Sequence, residues 1–161
     1  MMEAYLRKYR SKGVLVDANL LLLLYIGGVS RKYIGEFKRT QAYTADDYDL
    51  LLRVIDNFAR VIVTPNLLTE VSNLSNGISG QRLKDFYAVF AHSLSVIDEK
   101  YVPSKDLIHH PALYAYGLAD TGIAHLAKDN FLILTDDLRF ASFASTNGAD
   151  VVNFNHLRDF S

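Results

Sequence analysis

Carboxylates recur in this sequence at the places where its local character changes. Asp17 follows the apolar run Val14–Val16, Glu70 lies within VTPNLLTEVSNL (63–74), and Asp120 lies within LADTGIAHLA (118–127). Asp136 and Asp137 close the run LILTDD (132–137). In open α/β sheets, ligands gather at the carboxyl edge, where strands end and helices begin. Asp17 comes directly after the first such strand, Glu70 on the helix after the second, Asp120 near the start of the helix before the fourth, and Asp136-Asp137 directly after the fourth. All of them can face that edge.

Four carboxylates meeting in one cleft repel one another, and some would take up protons at neutral pH unless a cation offset the charge. Mg²⁺, or Mn²⁺ in its place, prefers oxygen ligands, keeps several waters and commonly pairs one or two carboxylates with a substrate phosphate. One or two such ions, about 3.5–4 Å apart when there are two, suit phosphodiester hydrolysis. Each acid also has a structural explanation: the aspartates can cap helices or sit favourably at helix N-termini, and Glu70 can be solvated. Their joint placement at successive strand ends favours the site.

The elements that would position these acids are legible. Runs rich in β-branched residues occur at Val14–Val16, Val61–Val63, Ser95–Ile97, Phe131–Leu134 and Val151–Phe154, separated by helical sequence. That alternation predicts a five-stranded parallel sheet sandwiched between helices, with strands covered on both faces. Thr64-Pro65 offers a capping hydroxyl before a proline suited to the first helical position, which predicts a helix from Pro65 to about Leu74. Thr44 with Asp47 resembles a capping box for the segment through Phe58, and Gly77 and Gly80 punctuate the next connection. At about 100° per residue, Glu70 falls about 40° from Leu74 and so borders the buried face of Leu67, Val71 and Leu74. In a helix beginning near Leu118, Asp120 shares its face with Ile123, Ala124 and Ala127.

The chain has 161 residues, half of them hydrophobic, which suits one domain over 1–161 with an enlarged helical segment at about 27–60. With no cysteine, any metal must be held by oxygen or imidazole. The opening MMEAYLRKYRSKG is charged throughout and lacks the apolar core of a secretory signal, so a cytoplasmic location and no membrane association are expected. Leu20–Ile26 is strongly apolar yet far short of the ~20 residues of a membrane span, and is read as a buried helix.

A net charge of −1 is neutral on nucleic-acid binding, which depends on local basic patches. Candidate patches are Lys8, Arg10 and Lys12; Arg31, Lys32, Lys38 and Arg39; and Arg82 with Lys84. His109 and His110 are adjacent, which is poor spacing for one metal on a helix, and they are placed in a loop or at the surface. Phe86, Tyr87 and Phe90 read as a packing stripe, whereas Tyr101, Tyr114 and Tyr116 are the rings expected near a site, where they could stack on bases. An aspartyl-phosphate phosphatase would want a second aspartate two residues after Asp17, where Asn19 stands.

The segments VLVDANLLL (14–22), VTPNLLTEVSNL (63–74), LADTGIAHLA (118–127) and LILTDD (132–137), in that order, resemble the PIN-domain nucleases from Val14 to about Phe154. The resemblance implies a five-stranded parallel sheet between helices and Mg²⁺- or Mn²⁺-dependent cleavage of RNA. By that resemblance Asp17, Glu70 and Asp120 correspond to metal-binding acids, with Asp137 as the fourth and Asp136 as its rival. Asn19 and Thr135 correspond to supporting residues that orient the ligands by hydrogen bonding. Many bacterial members are ribonuclease toxins neutralised by a partner, so an antitoxin-like protein and a homodimer also enter as expectations. The long segment before the first strand and the enlarged stretch from Val29 to Phe58 depart from those toxins. The alternative is a non-catalytic PIN-like module that uses the same surface to bind RNA or protein.

Overall fold

The computed structural model describes residues 1–160. Five strands, β1 (Val14–Val16), β2 (Val61–Val63), β3 (Asp98–Glu99), β4 (Leu132–Thr135) and β5 (Val151–Asn153), form one all-parallel sheet in the order β3-β2-β1-β4-β5. Helices flank it in a three-layer α/β/α arrangement: α1 (Met2–Tyr9), α2 (Ala18–Val29), α3 (Tyr33–Glu36), α4 (Ala45–Ile55), α5 (Pro65–Leu74), α6 (Gly80–Leu94), α7 (Leu113–Ala127), α8 (Leu138–Thr146) and α9 (Phe154–Arg158). A short 3-10 helix, Ser104–Leu107, precedes α7.

The central strand β1 is wholly buried, as a parallel strand covered on both faces must be. It pairs with β2 through Val14↔Val61 and Leu15↔Ile62, and with β4 through Val14↔Leu132, Leu15↔Ile133 and Val16↔Leu134. The chain next to β1 therefore runs outward to β2 and β3 on one side, while β4 and β5 build the other. This reversal at β1 and β4 leaves a crevice beyond their carboxyl ends.

Helix α2 is apolar on nearly every side, as suits a helix packed among α3, α4, α5 and α6. Leu20–Leu23 and Ile26 are all buried in the main core. Gly27 lets α4 approach closely, because a Cβ there would stand 2.3 Å from the Tyr48 ring. No helix among the described residues is long and apolar enough to cross a membrane.

Thr64 caps α5 by accepting from the Leu67 amide at 3.1 Å, with Pro65 in the first turn, and the helix spans the expected residues. Thr44 and Asp47 form a reciprocal capping box, although the helix it starts ends at Ile55 and not at Phe58. The third strand is displaced from its expected place. Ser95–Ile97 turn out of α6 through amide bonds to His92 and Ser93 carbonyls, and the strand is Asp98–Glu99, paired with Ile62 and Val63. The fourth strand extends to Thr135, and the fifth ends at Asn153, where the Asn153 side chain caps α9. The charged opening segment forms helix α1, which seats Met2, Tyr5, Leu6 and Tyr9 on the core and was not anticipated.

Candidate active site

Asp17 stands at the crevice between β1 and β4. Its backbone is extended and its side chain caps α2, Oδ1 accepting from the Leu20 amide at 3.0 Å. Oδ2 accepts from the Asp136 amide at 3.0 Å and from the Thr135 hydroxyl. Asp17 is 7 % exposed, and burial, followed by the charge of Asp136, holds its carboxyl well above the usual carboxylate range despite those three donors.

The Thr135 hydroxyl joins two acids. It donates to Asp17 and accepts from the Asp137 amide at 3.0 Å, while the residue itself is fully buried at the end of β4. Asp137 is exposed and caps α8, accepting from the Phe140 amide at 3.0 Å. Asp136 is half-buried and more extensively held: Tyr43 donates its hydroxyl to Oδ2, Asn19 Nδ2 lies 3.4 Å from Oδ1, and Asn155 Nδ2 donates to the Asp136 carbonyl at 2.7 Å.

Tyr43 arrives from the enlarged segment between β1 and β2. Burial, reinforced by Asp136, pushes its hydroxyl far above the ordinary range, so it remains the donor in that pair. Arg158 of α9 lies with its guanidinium 5.0 Å from the Tyr43 ring centre, and it donates to Asp47 at 2.9 and 3.0 Å and to the Ala42 carbonyl at 2.9 Å. The segment that carries Tyr43 to Asp136 is thereby tied to the C-terminal helix.

Asp120 is positioned by a break in α7. Gly117 adopts φ 80° and ψ −177°, a conformation open essentially to glycine alone, so the helical run that carries Asp120 begins at Leu118. The Thr121 hydroxyl donates to the Gly117 carbonyl at 2.5 Å, closing the first turn. Asp120 is half-buried, and burial, then the charges of Glu70, Asp137 and Asp136, push its carboxyl up to about 7. Helices α5 and α7 pack together, which brings Glu70 into range. Glu70 itself is solvent-exposed at the margin of Leu67 and Val71, further out than the helical wheel implies, and partial burial raises its carboxyl.

The acids therefore form two linked pieces at one sheet edge. Asp17, Thr135, Asp136 and Asp137 are connected by hydrogen bonds, and Asp120 feels Asp136, Asp137 and Glu70 through their charge. Negative charge acts on both centres, from Asp136 on Asp17 and from Glu70, Asp137 and Asp136 on Asp120. By donor chemistry this set fits a hard divalent cation, whose charge would relieve the repulsion. By spacing the fit is looser, since no three His, Asp or Glu side chains among the described residues stand together as a metal-holding group. Asp17 and Asp137 each commit an oxygen to a helix cap, which keeps those oxygens turned toward the backbone.

The other candidates lie apart from this cluster. His110 accepts from the Ala112 amide at 3.1 Å, meets His125 edge-on at 6.4 Å, and lines a separate cavity of about 210 Å³ with Pro111, Ala124 and Lys128. Lys8, Arg31, Lys32 and Arg82 pair with Asp150, Asp49, Glu36 and Glu36 respectively. A cavity of about 590 Å³, lined by Arg7, Arg10, Asp56 and Ala59, adjoins the segments that enter β1 and β2, at the opposite sheet edge from the acids. Tyr43 and Asn155 hold Asp136 yet carry no signal in the sequence, because each reaches it from a distant part of the chain.

Fold and site together describe an α/β/α protein with an acidic crevice at its topological switch point. The chain has no significant match among family models, curated proteins or solved structures.

Proposed function

We propose that the protein is a divalent-metal-dependent nuclease that hydrolyses phosphodiester bonds in RNA. The observation that carries this reading is the gathering of acids at the carboxyl edge of the sheet: a buried Asp17 bonded to the Asp136 amide and to the Thr135 hydroxyl that also accepts from the Asp137 amide, beside an Asp120 whose carboxyl is pushed up to about 7 by burial and then by Glu70, Asp137 and Asp136. So much negative charge at a sheet's ligand-binding edge is costly unless a cation or a proton offsets it, and perturbed acids of this kind mark functional sites. The resemblance of the four sequence motifs to the PIN-domain nucleases supplies the further step to RNA.

Because no three acids among the described residues stand together as a metal-holding group, Asp17, Asp120 and Asp137 would hold the ion through water, with Asp136 the rival of Asp137 and Glu70 completing the set. A bound Mg²⁺ or Mn²⁺ would supply an acidified water and charge stabilisation for the phosphate. The chain's own contributions are positional. Thr135 fixes the rotamer of Asp17, Tyr43 and Asn19 fix that of Asp136, and the α8 cap fixes Asp137. Glu70, exposed at the rim with a raised carboxyl, is suited to accept a proton from the attacking water. In the reaction the water oxygen bonds to phosphorus, the bond from phosphorus to the 3′-oxygen breaks, and that oxygen departs with a proton. The products are a 5′-phosphate and a 3′-hydroxyl.

The test mixes the purified chain with labelled RNA and single-stranded DNA in Mg²⁺, Mn²⁺ or chelator, alongside Asp17→Asn and Asp120→Asn. Cleavage of RNA in either metal, absent in chelator and in both variants, is expected. Cleavage that persists in chelator or in both variants overturns the proposal, and binding without cleavage under every condition assigns the chain to the non-catalytic alternative.

A further inference from the structure

Beside the acids, the outward face of α8 and the turn that opens α7 border a shallow, open groove of about 460 Å³, lined chiefly by Tyr116, Leu138, Arg139, Ser142, Phe143 and Asn147. It adjoins the acidic crevice directly, since Leu138 and Arg139 follow Asp137 in the first turn of α8 and Tyr116 immediately precedes the Gly117 break that sets Asp120.

The groove presents a ring held in place. The Tyr116 hydroxyl donates to the Arg139 carbonyl at 3.2 Å, and the ring packs edge-on against Phe140 at 5.6 Å and tilted against Phe143 at 5.0 Å. The Arg139 guanidinium lies 5.9 Å from the Tyr116 ring centre. No ion pair to a carboxylate occupies Arg139 among the described residues, although its charge stands close in sequence to Asp136 and Asp137. Leu138 is 61 % exposed, and Tyr114, on the same turn as Tyr116, is fully exposed.

A fixed aromatic ring, an exposed aliphatic side chain and an available guanidinium match a planar, apolar-faced group joined to an anion. A nucleobase with its phosphate has that chemistry, and base–aromatic stacking is tolerant of sequence because every base has a π-face. Charge complementarity favours the same occupant, because an anionic strand approaching the acids needs a positive group at the entrance, and Arg139 stands there.

We propose that this groove seats an unpaired base of a single-stranded nucleic acid, stacked on Tyr116 and flanked by Leu138, while Arg139 meets the adjoining phosphate. The inference rests on the nucleic-acid reading of the acidic crevice and assigns the residues that grip the strand next to the scissile bond. Tyr116, Leu138 and Arg139 are binding residues in this assignment and take no part in bond breaking.

The test is fluorescence anisotropy on the full chain in chelator, where no cleavage intervenes. The probes are a short fluorescein-labelled RNA of mixed, unstructured sequence and an abasic strand of equal length. The wild type is expected to bind the RNA about tenfold more tightly than the abasic strand, the scale of one base–aromatic stack. Tyr116→Leu should remove that preference while leaving abasic binding unchanged, and Leu138→Ser, at an exposed position that folding does not need, should reduce it. Arg139→Gln should weaken both probes and lower the salt dependence by about one phosphate contact. Equal RNA affinity in the wild type, Tyr116→Leu and Leu138→Ser overturns the assignment and leaves the nuclease reading standing. A base preference lost in those variants, in a protein that never cleaves RNA with metal, supports the groove and removes the nuclease. A wild type that binds neither probe overturns the groove assignment, while the nuclease reading is decided separately by cleavage in Mg²⁺ or Mn²⁺.

Discussion

Replacing Asp120 with asparagine keeps the side chain's shape and removes its capacity for charge, which isolates the electrostatic load of the acidic crevice. In the folded protein the carboxyl is raised from 3.8 to about 7, chiefly by burial and then by Glu70, Asp137 and Asp136. The folded state thus binds this proton more tightly than the unfolded chain, so stability attached to Asp120 is complete below about pH 4 and is lost as pH rises to about 7. At 1.36 kcal/mol per unit the loss amounts to about 4 kcal/mol, a large share of the stability of an ordinary domain. Asp120→Asn should therefore match the wild type at pH 4 and exceed it by about 4 kcal/mol at pH 8 when metal is chelated. Urea denaturation across that range, followed by circular dichroism, reads the difference directly. Excess Mg²⁺ or Mn²⁺ should reverse the order, because the ion favours the ionised wild-type carboxylate and releases its proton. A difference between the two proteins that stays constant from pH 4 to pH 8 would refute the assignment of Asp120 to a shared acidic site.

Other perturbations test the supports around that crevice. Thr135→Val keeps the shape of the side chain but deprives Asp17 of a donor and the Asp137 amide of an acceptor, so a loss of about 2 kcal/mol in urea titration is expected. Gly117→Ala places a Cβ in open space, so its whole cost is the backbone conformation, about 1–3 kcal/mol, and a thermally neutral variant contradicts the break in α7. Arg158→Met leaves the buried Asp47 without its cation and frees the segment under Tyr43; a destabilisation of about 3 kcal/mol should be visible in the denaturation midpoint.

The parts of the fold that were legible in the sequence are those set by local chemistry. Thr64-Pro65 marks the start of α5 because a hydroxyl cap and a proline are both suited to a helix's first turn, and Thr44 with Asp47 marks α4 for a related reason. The central strands show as unbroken apolar runs because both faces are covered. What was missed depends on partners. Strand β3 is two acidic residues defined only by pairing with β2, whereas the β-branched Val96 and Ile97 beside it belong to a turn. Helix α1 is amphipathic, with Met2, Tyr5, Leu6 and Tyr9 on one side, but its charges obscure that stripe. At the site, the positions of Asp17, Asp136 and Asp137 follow from strand ends. Tyr43 does not, because its bond to Asp136 spans 93 residues and arises from the route of the enlarged segment.

The placement of β1 beside β4 also bears on how the molecule comes into being. Asp17 and Thr135, which share a hydrogen bond, are separated by 118 positions. During synthesis the strongly apolar β1 and α2 emerge early, and β4, which pairs with β1 on the side away from β2, is the last but one of the strands to be made. Long-range parallel pairing of this kind forms slowly and leaves sticky surface uncovered meanwhile. The crevice can assemble only after most of the polypeptide has been made, so a nascent chain halted before Leu132 carries Asp17 without the Thr135 hydroxyl and the Asp136 amide that hold its side chain.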